Sequence, residues 1–200
     1  MFASALDFHG WCRSAKDEDA ALQALLEYRG RYADALGRGG ATAPPGRVEL
    51  RVVERLTGSA TTDFGAPGAT ASIEREPMSP NRARTLLTQL RACWAWLDDV
   101  VARSPAELHK GRRGGGRDRN EMVDHVLGAE CVYARKLGAR HRQPAIDDRS
   151  AIDALRHDLG VVIGLPANRL AVERGWYPRY AARRTAWHAL DHAWEMEDRS

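Results

Sequence analysis

"RRTAWHALDHAWEMEDRS", running from Arg183 to Ser200, places His188 and His192 four residues apart. On a helix, residues four apart point the same way, with Cβ atoms about 5 to 6 Å from each other, so two imidazoles can share one metal ion. The spacing alone is weak, because seven histidines in 200 positions make such a pair a common accident. A third histidine in another helical stretch strengthens it. His125 follows Met122 by three residues and precedes Val126 in "RNEMVDHVLGAECVYARKLG", on the inward arc of that segment. A lone imidazole there needs a polar partner to offset its desolvation. His125 is then either a satisfied core histidine or the third ligand of a site with His188 and His192. Three imidazoles leave a coordination position open, the arrangement of catalytic rather than structural metal sites.

Outward from this stretch, the chain from residue 78 to 200 reads as four amphipathic helices. Ser79 followed by Pro80 is a cap and first-turn signal for a helix carrying "NRARTLLTQLRACWAWLDDVVAR", with Leu86, Leu87, Leu90, Trp94, Leu97 and Val101 facing inward. A Gly/Arg loop around 111 to 117 leads to the second helix, whose apolar stripe is Met122, Val126, Ala129, Val132 and Tyr133 and whose stop is Gly138. The third helix covers "DRSAIDALRHDLGVVIGL" and breaks near Pro166; the fourth follows "GWYPRY". Four such helices predict a four-helix bundle. Residues 1 to 57 predict a small β-α-β unit. In it a helix "DEDAALQALLEYRGRYADAL" is ended by the loop "GRGGATAPPG" and followed by "RVELRVVERL", which alternates like a half-buried strand. Residues 58 to 77 read as a linker or surface loop. The expected fold class is α+β.

An apolar share of 44% with 28% charged residues describes a globular chain. No apolar run reaches a membrane span, and no secretory signal is visible, which makes the cytoplasm the expected location and excludes a membrane partner. Cys12, Cys93 and Cys131 form neither a disulfide framework nor a cysteine zinc site, and Cys131 reads as a buried structural thiol. A net charge of +3, spread over scattered arginines, argues against a nucleic-acid partner. "GRRGGGR" lacks the GKS/T ending of a phosphate cradle and reads as a loop.

Around the histidines, Arg184 stands one turn before His188. It is either a substrate-binding group for a carboxylate or, with Arg183, a solvated residue. Asp191 and Glu195, three beyond His188 and His192, either orient the imidazoles by accepting their second N–H or pair with arginines at the surface. Trp94, Trp96, Trp187 and Trp194 read as packing, with one of them a candidate pocket wall. The spacing assigns no catalytic residue.

One histidine in the second helix, in "EMVDHVLGAECVY", and HxxxH in the last, in "AWHALDHAWEMEDRS", resemble the DinB-like superfamily of four-helix metalloproteins, which includes mycothiol-dependent maleylpyruvate isomerases and thiol S-transferases. The resemblance covers roughly residues 79 to 200. It implies a divalent metal, Zn or Ni first and Fe next, held by His125, His188 and His192. It also implies a low-molecular-weight thiol such as mycothiol as co-substrate, an electrophilic second substrate, and a homodimer as a common assembly. "LDFHGWCRSAKDEDAALQALLEY" is similar, for fold only, to the opening of HicB-like antitoxin folds. The competing class is a non-catalytic metal-binding stress, regulatory or interaction module. A sulfoxide-synthase-like iron site is the third, and the large catalytic domain of those enzymes is missing here.

Overall fold

A computed structural model describes residues 1–111 and 115–200; the central part of the Gly/Arg loop, 112–114, lies outside the described residues. The fold is mostly helical α+β with one small sheet. Strands β1 (Phe2–Ser4) and β2 (Cys12–Ser14) pair antiparallel, Phe2 opposite Ser14 and Ser4 opposite Cys12. Then come α1 (Glu18–Glu27), α2 (Arg29–Arg38), a short α3 (Ala60–Asp63) and a 3-10 turn at Ser72–Arg75. Four long helices follow: α4 (Pro80–Arg103), α5 (Arg119–Lys136), α6 (Arg149–Ile163) and α7 (Pro178–Arg199).

Local chemistry sets the ends of these helices. The Ser79 hydroxyl accepts from the Arg82 amide at 3.1 Å with Pro80 in the first turn, and Asp17 caps α1 through the Ala20 amide. Gly138, at φ +86°, ends α5 in the left-handed conformation that glycine adopts without a Cβ penalty. The four long helices share one core. Leu90, Leu97 and Val100 of α4 meet Met122 and Val126 of α5, Leu155 and Leu159 of α6, and Ala186 and Leu190 of α7. Trp11, Tyr32 and Leu36 from the N-terminal elements belong to the same cluster. Helix α7 is buried on every side from Pro178 to Leu190, as a helix must be when neighbours surround it. Among the described residues no helix is long and apolar enough to cross a membrane.

The N-terminal region departs from expectation. Its order is β-β-α-α, not β-α-β, because residues 47–56 form no ladder. Their charged positions are used one by one instead: Arg55 pairs with Glu18, and Glu54 accepts from the Ser72 amide and hydroxyl. The expected single helix divides at Tyr28. The indole of Trp11 donates to the Leu25 carbonyl at 2.7 Å, occupying an acceptor that a continuous helix would use for Arg29. In the stretch expected as a linker, 58–77, Glu74 is fully buried against α7. Val132, placed on the α5 stripe by periodicity, is exposed.

Candidate metal centre

Helix α5 starts at a capping box in which the Asp118 amide donates to Glu121, and two turns on it carries His125 to α7, where it meets His188. On α7, His188 and His192 stand one turn apart, and the three imidazoles converge through their Nε2 atoms. His188 Nε2 lies 3.3 Å from that of His125 and 3.2 Å from that of His192. Two nitrogen donors about 2.0 to 2.1 Å from a tetrahedral ion stand about 3.3 Å apart, so the donor spacing fits a first-row divalent cation. One ligand atom from each of the three histidines falls within 4.8 Å of the others.

Protonation and orientation agree with that fit. Burial, and then the neighbouring His192 and His125, holds the His188 imidazole well below its ordinary range. Burial first and His192 next lower His125 too. Neutral imidazole is the form that binds metal. Glu195 accepts from His192 Nδ1 at 3.2 Å, which leaves Nε2 free to face the centre, and that hydrogen bond holds the Glu195 carboxyl below the usual carboxylate range. Glu195 is itself anchored by Arg199 Nη1 at 2.7 Å. The structure therefore places Glu195 in the orienting position.

Asp191 is not brought to the centre. It faces the N-terminal hairpin and accepts from Arg13 Nη1 at 3.0 Å, and burial raises its carboxyl. Among the described residues the Nδ1 of His188 meets no partner. Arg184 and Arg183 are buried, with 8% and 3% of their surface exposed, so the solvated reading of this pair fails. The four tryptophans singled out are buried as packing residues, and Cys131 is a buried free thiol. Trp187 packs on the hairpin against Phe2 and Cys12, with its ring 5.9 Å from that of its neighbour His188.

Sequence reasoning missed two residues here. Tyr133, assigned only to the α5 stripe, puts its ring 5.9 Å from that of His188. Arg117 is exposed on the Gly/Arg loop, and its charge acts in the direction that lowers the His125 and His188 imidazoles, behind burial and the neighbouring histidines. No periodicity signals a loop cation. The apolar cleft between α4, α5 and α6, of about 170 Å³ and lined by Leu97, Val126, Ile152 and Arg156 among others, contains none of the three histidines. Compared with known proteins, the chain matches no family model, no curated protein and no solved structure.

Proposed function

We propose that the chain is a DinB-like four-helix protein over residues 78–200 whose centre holds a divalent metal and serves a transferase or isomerase reaction with a low-molecular-weight thiol. The observation that carries this reading is the convergence of three Nε2 atoms at ligand spacing from two helices, with Glu195 orienting one of them. His125, His188 and His192 would hold the ion, Zn or Ni by preference and Fe as the next choice. Such an ion, when bound, would supply the Lewis acidity that turns a thiol into a thiolate nucleophile at neutral pH. The chain's own residues beside the histidines are Tyr133, whose ring lies 5.9 Å from that of His188, and Glu195, which holds His192 by its Nδ1.

Metal analysis of the purified protein beside His188→Ala tests the centre. About one equivalent in the parent and a loss of most of it in the variant is expected, and equal metal in both would sink the reading. Thiol consumption with a chloronitrobenzene electrophile tests the chemistry. A metal-loaded protein that binds thiol yet never consumes it is the non-catalytic module instead.

A further inference from the structure

Arg184 lies one turn before His188 on α7, exposes 8% of its surface, and among the described residues its Nε and Nη1 donate to nothing. Among the described residues no carboxylate stands within ion-pair distance of it. Two of the other deeply buried arginines meet an acid, Arg156 at Glu130 and Arg183 at Glu74; Arg179 meets only the Ile73 carbonyl and also leaves its Nε without a partner, but it lies more than two turns from His188, whereas Arg184 lies one turn away. The polar neighbour of Arg184 is the Tyr133 hydroxyl, which burial keeps neutral and which cannot balance a charge. The guanidinium lies 4.6 Å from the Trp187 ring and 6.0 Å from the Tyr133 ring. Both rings also neighbour His188, so Arg184 and the buried ligand of the centre share the same two aromatic neighbours.

A buried, uncompensated cation is costly, and a cation beside a site for a second cation is costlier still. Such an arrangement is relieved by an anion that meets both. A carboxylate fits better than a phosphate: its single charge matches the single guanidinium, and its planar pair of oxygens matches the fork of N–H groups. A phosphate would leave a further negative charge buried between aromatic walls.

We infer that Arg184 and the three-histidine centre form a two-point clamp for one carboxylate-bearing ligand, and that carboxylate and metal bind cooperatively because the carboxylate removes the repulsion between Arg184 and the ion. The metal half rests on the reading proposed above. By linkage, the factor by which the anion strengthens metal binding equals the factor by which the metal strengthens anion binding.

The test uses the full chain and measures Zn affinity by competition with a chromophoric chelator, in acetate and in acetamide at matched ionic strength. Acetate should raise the affinity of the parent about ten-fold over acetamide, within the usual range of such couplings. Arg184→Met should bind Zn more tightly than the parent in acetamide and gain nothing from acetate. Arg184→Lys, which keeps the charge without the fork, should retain part of the effect. If the methionine variant does not fold, the lysine variant and the acetate-to-acetamide ratio of the parent still decide. Zn binding that acetate leaves unchanged, or strengthens equally in parent and Arg184→Met, overturns the clamp and leaves the metal centre standing. A parent that binds no Zn overturns both.

Discussion

Arg183 and Arg184 are adjacent and both buried, yet their surroundings are opposite. Arg183 donates to both Glu74 oxygens, at 2.5 and 2.9 Å, and to the Ala69 carbonyl, whereas Arg184 meets no acid. Removing one partner of a buried ion pair leaves an isolated charge, so Glu74→Gln should destabilise the fold by about 3 kcal/mol, read as a lower urea midpoint at unchanged slope. The histidines set the acid limit. His9, His125 and His188 all have imidazoles lowered in the folded protein, His9 and His188 well below the ordinary value, chiefly by burial. The unfolded chain then binds protons that the folded one refuses. Their contribution is present above the unfolded value of about 6.5 and is lost as pH falls below it. Metal-free protein should lose stability below pH about 6.5 with a slope near 1.4 kcal/mol per pH unit for each refused proton, and His9→Leu should reduce that slope by about one proton. At this scale the triad was legible because α-helical geometry fixes which side chains share a face. Glu74 was not, since its partner is 109 residues away and a lone Glu in a Gly/Thr-rich stretch carries no periodicity.

Among the elements, those whose ends are written in capping chemistry matched expectation: Ser79–Pro80 for α4, Gly138 for α5, and the break before Pro166 for α6, which ends at Ile163. Ser79→Ala should cost about 1 kcal/mol, seen in thermal unfolding. The strand expected at 47–56 failed because alternation reports a half-exposed surface, and only a partner ladder makes that surface a strand. Residues 12–14 hold that role, paired with 2–4 in a hairpin too short to show a period of two. Helix packing carries a sharper prediction in α2. A Cβ on Gly39 would stand 2.3 Å from the Cα and Cβ of Ala92, so the end of α2 rests directly on α4, whereas a Cβ on Gly37 would meet nothing within 4 Å. Gly39→Ala should therefore destabilise by about 1 to 3 kcal/mol through forced separation of the two helices. Gly37→Ala should stabilise by about 0.5 kcal/mol through helix propensity, and the opposite signs are measurable in one denaturation series.

Across the whole molecule, α7 is the shared wall. It presents His188 and His192 to α5, Arg183 to the 3-10 turn, and Asp191 and Trp187 to the N-terminal hairpin, where Arg13 and Phe2 receive them. Gly10, at φ +94°, lets the hairpin loop approach α7 until a Cβ there would touch Ala186 at 3.1 Å. An ion held by His125 from α5 and by two histidines from α7 would tie together helices 63 residues apart in the chain. Because the three ligands meet only in the folded state, binding free energy becomes folding free energy. With Zn at about a thousand times its Kd, the gain is about 4 kcal/mol, or a rise in Tm of about 8 to 16 °C for a chain of this size. His125→Ala and His192→Ala should each abolish most of that rise even though their ligands come from different helices. Glu195→Gln, which only weakens the orientation of His192, should keep a part of it. A Zn-induced rise that survives His125→Ala undiminished would place the ion on α7 alone, and α5 would then be joined to it by apolar packing without the metal.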